Sequence, residues 1–267
     1  MKTLSKVCRP IILSVLVLSV LSVGNSARAL EGLKVFRGVL VLEGIIEVGD
    51  YDKVRTFLGE KFNFDKINNG VFLASPGGNV IEAIKIGRLI RSLRLSTDAP
   101  SGPPNGAPRF GQSLIAANDL VKPQNDNACA SACFFIYVAG VYRNLGWAGR
   151  LGVHRPVLLE SNAKELNVEQ TVDVTWQVRG RIQKYLEEMN VPGKYVDLMY
   201  SVPPNEVRWI SQREFDTDIA GFVPDVKTTL RTKCNLQMKA SVAELKKCWG
   251  EMRAETLNEA WNKVFKK

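Results

Sequence analysis

The chain has 267 residues, 45% of them hydrophobic and 24% charged, the balance of an ordinary globular protein. That length allows one large or two modest domains, and twenty-one Gly and twelve Pro are too few for a fibrous or low-complexity chain. The formal charge of +9 invites nucleic acid as a partner, but Lys2, Lys6, Arg9 and Arg28 fall within residues 1–29, which hold no acid. Without those four the net charge is +5 and no basic patch interleaved with aromatics stands out, so the composition argues against nucleic acid.

Residues 1–29 read as a secretory signal peptide. Lys2, Lys6 and Arg9 form a positive leader, Ile11 to Val23 is an apolar run broken only by serines, and Ala27-Arg28-Ala29 is a cleavage site of the A-x-A kind. Cys8 precedes the apolar run and is not placed for lipid attachment. The alternative, an uncleaved anchor, meets a run that is short for a membrane span. The expectation is cleavage after Ala29 and a periplasmic or secreted chain. Export sets an oxidising environment for Cys129, Cys133, Cys234 and Cys248. Four cysteines allow three pairings. Cys234 and Cys248 bracket a candidate helical hairpin and are expected to pair; Cys129 and Cys133 either pair locally or stay buried as small apolar residues. A zinc site is disfavoured, because there is one histidine and no C-x-x-C.

Along the mature chain, strand and helix patterns alternate. Residues 34–48 read as one bent strand or two, followed by a turn at Gly49-Asp50 and a helix through Leu58. Val71 to Ala74 is a short buried strand. After Ser75-Pro76-Gly77-Gly78, the apolar residues Val80, Ala83, Ile84, Gly87 and Ile90 hold helical spacing while Glu82, Lys85, Arg88 and Arg91 lie off that stripe. Residues 97–127 are rich in Pro and Gly and read as an exposed inserted loop. Cys129-Ala-Ser-Ala-Cys133 opens a buried helix, and a strand lies near Arg150–His154. A long helix carries Val174, Val178, Ile182, Leu186 and Met189, Pro192 opens another, and Ser211 to Glu214 is a capping box. Ile219 to Val226 closes the pattern, and residues 228–267 are a charged helical extension. Strands separated by helices imply an α/β fold with a mainly parallel sheet and right-handed crossovers.

Three weak signals carry the chemistry. His154 is the only histidine, so any imidazole base is His154, placed where a strand ends and open α/β sheets bind ligands; a purely structural histidine is the alternative. Ser131 starts a helix between Ala130 and Ala132, whose small side chains let a carbonyl carbon approach the hydroxyl, and the helix start aims amides at developing negative charge. A serine there also serves as an ordinary N-cap. Gly77 and Gly78, between a strand and a helix, let backbone N–H groups come close to a ligand, or simply make a tight turn.

Together these segments resemble a known family. LASPGGNVIEAIKIGRLIR, ACASACFFIYVAG and GRLGVHRP look like the Clp protease proteolytic subunit within the ClpP/crotonase fold, and more closely like its exported, periplasmic relatives. RWISQREFDTDIAGFVPDV is similar to the closing segment of that family. The likeness spans about residues 36–226, leaving out the 97–127 insertion and the last 40 residues. It implies a ClpP/crotonase-like spiral of ββα units over 30–227, with a helical extension over 228–267. It also implies a serine hydrolase in which Ser131 matches the nucleophile and His154 the base. Gly77 or Gly78, with the Ala132 amide, matches the oxyanion hole. The family's aspartate position falls on Pro203, which can orient nothing. Asn205 is then the nearest candidate to orient His154, with Asp197 and Glu206 behind it; an amide oxygen serves in this way in papain-like enzymes. The expected activity is an exported, ATP-independent serine peptidase acting on peptides or flexible segments, with no cofactor, no metal and no ATPase partner, since the chain holds no P-loop. Two other readings stay open: a catalytically weak or inactive binding or scaffold protein, and an acyl or ester hydrolase of the crotonase fold. The resemblance alone implies a homo-oligomer.

Overall fold

The structure, a computed structural model, describes residues 30, 33–68, 70–99, 128–146, 149–157 and 167–266. The expected signal peptide and most of the expected 97–127 loop lie outside the described residues. Strands β1 (Lys34–Phe36) and β2 (Val39–Glu43) form an antiparallel hairpin, so the segment read as one bent strand or two is two. Helix α1 (Asp50–Gly59) follows, started by Asp50, whose buried carboxylate accepts from the Glu47 amide at 2.7 Å, and α2 (Lys61–Phe64) is one further turn. Strand β3 (Gly70–Ala74) is buried along its whole length, as its unbroken apolar run implies. Helix α3 (Val80–Ser92) is capped by the Asn79 side chain and buries Ala83, Ile84, Gly87 and Ile90 of the stripe read from its sequence, leaves Val80 half-buried, and buries Glu82 as well, whose carboxylate accepts from the Gly49 and Tyr51 amides.

Strand β4 (Thr97–Ala99) corrects the expected loop boundary. Three residues at the head of the Pro/Gly-rich stretch form a strand, Thr97 and Asp98 pair in parallel with β3, and Thr97 and Ala99 are buried. The Thr97 hydroxyl donates to the Tyr137 carbonyl at 2.7 Å, which makes a polar residue admissible there. Strand β5 (Ala128–Ala130), helix α4 (Ala132–Tyr137), β6 (Tyr142–Leu145) and β7 (Arg150–Val153) complete the first half. The long helix α5 (Val168–Glu188), then α6 (Lys194–Ser201), β8 (Arg208–Trp209), α7 (Gln212–Asp218) and β9 (Gly221–Phe222) form the second. Among the described residues there is a six-stranded sheet of order β1-β2-β3-β4-β6-β9 and a three-stranded sheet of order β5-β7-β8. The pairs β2-β3, β3-β4, β4-β6 and β5-β7 are parallel. The α/β class, the largely parallel sheet and the helical C-terminal region are as the sequence implies.

Helix α4 is the centre of the core: Phe134, Phe135, Ile136 and Tyr137 are at most 2% exposed. Its aromatic and carbonyl groups are tied down by Tyr185, whose hydroxyl donates to the Phe135 carbonyl at 2.6 Å, and by the Tyr137 hydroxyl donating to the Asn144 carbonyl at 2.8 Å. Buried Arg143 donates to the carbonyls of Ile219 and Met189, fastening β6 to the end of α5; burial, and then the neighbouring Arg91 charge, draws its guanidinium down to about 9. Asp98 of β4 accepts from the Asn144 amide at 3.0 Å through Oδ2, while its buried Oδ1 has no hydrogen-bond partner. Burial pushes this carboxyl up to about 6, against the pull of the Asn144 hydrogen bond.

Helices α8 (Pro224–Lys233) and α9 (Val242–Phe265) form the C-terminal region. The expected boundary between 227 and 228 falls inside α8, because Pro224 sits at its first turn and starts it earlier. Val226, Leu230, Leu245, Cys248 and Trp249 make a small second core with Val141 and Phe222. The Cys234–Cys248 disulfide, expected from the sequence, closes this pair, and the Trp261 indole donates to the Leu58 carbonyl at 2.8 Å, docking α9 on α1. No described helix is long and apolar enough to cross a membrane.

Candidate active site

The site is assembled at the turn from β3 to α3. Ser75 donates its amide to the Ala128 carbonyl at 3.1 Å and accepts from the Ala130 amide at 3.0 Å, which zips the turn to β5. On the other side, the Ile46 amide donates to Gly77 at 2.8 Å and the Asn79 amide donates to Ile46 at 2.7 Å. Both glycines are required by this clamp. Gly77, at φ +111°, would place a Cβ 2.6 Å from the Ser131 Cβ and 2.9 Å from the Ala132 nitrogen. Gly78, at φ +134°, would place one 2.2 Å from the Ile46 oxygen.

The two glycine amides differ. That of Gly77 donates to the Ser75 hydroxyl at 3.1 Å, whereas that of Gly78 has no acceptor among the described residues. The Ala132 amide, beside Gly77, has none either. The Ala132 amide is therefore uncommitted directly after Ser131, and the Gly78 amide is uncommitted one residue beyond Gly77, which packs on Ser131.

Ser131 adopts φ 55°, ψ −123°, a sparsely populated conformation for a residue with a side chain. Its amide donates to the Gly152 carbonyl at 2.9 Å and its carbonyl accepts from Phe134 at 3.1 Å. The hydroxyl makes no capping bond to α4, so the N-cap use of this serine is not taken up. Cys129 and Cys133 are joined in a disulfide, the local one of the two outcomes left open by the sequence, and Ser131 lies midway between them.

Strand pairing brings the histidine to the same end. Ala130 of β5 lies opposite Gly152 of β7, in parallel, so Ser131 and His154 both leave the C-terminal edge of adjacent strands. His154 Nδ1 lies 3.0 Å from the Arg155 carbonyl. The tautomer that makes this bond carries its proton on Nδ1 and leaves the Nε2 lone pair as an acceptor. No hydrogen bond between His154 and Ser131 is formed among the described residues.

No hydrogen bond joins Asn205 to His154 among the described residues. Asn205 is exposed in the turn after α6, where the Glu206 amide donates to Pro203 at 3.1 Å, and the imidazole takes a backbone carbonyl as its partner. The Arg155 amide donates to Val202 at 3.1 Å, so the chain next to Pro203 runs beside the end of β7. Asp197 is exposed and paired with Arg179 at 2.6 Å, and Glu206 is exposed.

Sequence reasoning missed the cover of this strand. Strand β8 pairs antiparallel with β7, and a Cβ on Gly152 would meet Val207 at 2.5 Å and the Trp209 ring at 2.9 Å. Arg150 stacks its guanidinium 3.7 Å over Trp209. The pairing is non-local, and two residues of strand carry no periodicity that could have revealed it.

No family model and no curated protein matches the sequence. Among solved structures, the fold is similar to ClpP1 of Listeria monocytogenes, 16% identical at TM-score 0.44, covering 69% of this chain and 89% of that one; a point mutant of the same protein gives 0.46. It is also similar to a mutant of a membrane-bound stomatin-specific protease, 15% identical at TM-score 0.44, covering 77% of this chain and 88% of that one. At this level of likeness no activity is transferred from them.

Proposed function

We propose that this chain is an exported serine peptidase that works without an ATP-driven unfoldase. The observation that carries the reading is the uncommitted Ser131 hydroxyl on a residue at φ 55°, packed against Gly77 and followed by the free amide of Ala132, with the free amide of Gly78 next along the chain from Gly77. In this mechanism Nε2 of His154 takes the Ser131 proton as the hydroxyl attacks a peptide carbonyl. The Gly78 and Ala132 amides receive the oxyanion, and His154 then protonates the departing amine. Water, activated by the same imidazole, hydrolyses the acyl-enzyme. The Nδ1 contact with the Arg155 carbonyl holds the ring in the tautomer this requires, in place of a carboxylate. The leader-like residues 1–29 and the two disulfides support the exported setting.

A fluorophosphonate probe tests the reading directly. Covalent labelling of the wild type, lost in Ser131→Ala, supports a serine hydrolase, and turnover of peptides against esters then separates a peptidase from an acyl or ester hydrolase. A wild type that does not label favours a binding or scaffold protein. That second reading has its own observation, the absence of a carboxylate or amide side chain bonded to His154 among the described residues.

A further inference from the structure

The Cys129–Cys133 disulfide spans the candidate nucleophile. The ring closes over five residues, so it removes little freedom from the unfolded chain as a whole and acts locally. Cys129 belongs to strand β5 and Cys133 to helix α4, so the crosslink ties strand to helix across a single irregular residue, Ser131, at φ 55°. Ala130 and Ala132, its neighbours, have no side chain long enough to hold the turn. Both cysteines are fully buried. Cys129 also bridges Ser75, whose hydroxyl occupies the Gly77 amide and leaves that of Gly78 free. The nucleophile and the strand-to-helix turn bearing the free Gly78 amide are therefore anchored through one covalent link.

We propose that this disulfide is a positioning element whose formation switches the Ser131 elbow on, so that the chain is reactive when the pair is oxidised and slow when it is reduced. The inference rests on Ser131 being the nucleophile. In the activating step the two thiols lose two protons and two electrons to a disulfide-bearing oxidant, which leaves as its dithiol, and one S–S bond forms in the protein. A small dithiol reverses it. A chain still in a reducing compartment would thus carry an unset site.

The Cys234–Cys248 disulfide, in the separate C-terminal core, provides the control. In Cys129→Ala/Cys133→Ala the fluorophosphonate labelling rate and peptide kcat should fall about 100-fold with KM nearly unchanged, the size expected when a reacting atom is misplaced by about 1 Å. In Cys234→Ala/Cys248→Ala the labelling rate should stay at the wild-type value while Tm drops. A purely structural role for the first pair would move Tm and leave the labelling rate well below Tm unaltered. Should Cys129→Ala/Cys133→Ala fail to fold, the Cys234→Ala/Cys248→Ala chain is treated with dithiothreitol, with thiols counted by mass spectrometry. Labelling that slows as two thiols appear and recovers on reoxidation supports the proposal; unchanged labelling with two thiols present overturns it. A wild type that labels but is indifferent to both treatments defeats this inference alone, whereas a fully oxidised wild type that never labels defeats the nucleophile assignment and the inference with it.

Discussion

Replacing Gly77 by alanine isolates the closest contact in the site. The new Cβ would lie 2.6 Å from the Ser131 Cβ and 2.9 Å from both the Ala130 oxygen and the Ala132 nitrogen, all anchored atoms that cannot swing aside. At φ +111° the alanine also takes a backbone conformation that costs about 1–3 kcal/mol. Crowding in a packed surrounding adds about 1–3 kcal/mol. Gly49 is the matched control: it has φ +92° but nothing within 4 Å, so Gly49→Ala carries only the backbone cost. For a chain of this size each kcal/mol lowers Tm by about 2–4 °C, so Gly77→Ala should melt roughly 2–12 °C below Gly49→Ala. Circular dichroism melts of both variants measure the difference. The displacement falls on Ser131, so fluorophosphonate labelling should drop by about 100-fold in Gly77→Ala and stay at the wild-type rate in Gly49→Ala. Equal melting temperatures, with wild-type labelling in Gly77→Ala, would refute the packing of the turn against Ser131.

Other variants probe the pair and its surroundings. Ser131→Ala and His154→Ala should each abolish peptide turnover, and the double variant should lose no more than either alone, because the two groups act as a unit; additive losses would separate them. Asn205→Ala and Asn205→Asp should both turn over peptide at the wild-type rate, since Asn205 is exposed and His154 is bonded to the Arg155 carbonyl; a loss of kcat in Asn205→Ala would bring the side chain back into the site. Asp98 has a folded-state carboxyl raised from 3.8 to about 6, so the native state binds its proton more tightly than the unfolded chain and loses stability as pH rises through that interval. Asp98→Asn should therefore gain about 2 kcal/mol on the wild type between pH 4 and pH 7 in urea titrations, and a gap that does not change with pH would show that burial does not govern this group.

Local signals in the sequence determined much of this protein. The stripe from Val80 to Ile90 and the Ser211 capping box depend on neighbours within one or two turns, and the structure contains both. The alternation of buried strands with amphipathic helices was enough for the α/β class, and the lone histidine named the only possible imidazole base. What required tertiary structure is what depends on distant partners. Thr97–Ala99 is too short to show a period, and its strand identity comes from pairing with Val71 and Phe72. The parallel register of Ala130 with Gly152 decides that Ser131 and His154 share a sheet edge. Which glycine keeps a free amide depends on the Ser75 hydroxyl, two residues away along the chain but aimed by the bonds of Ser75 to β5. A hydrogen bond is decided by where its acceptor ends up in space, and only the fold shows that His154 Nδ1 meets the carbonyl of its own neighbour, Arg155.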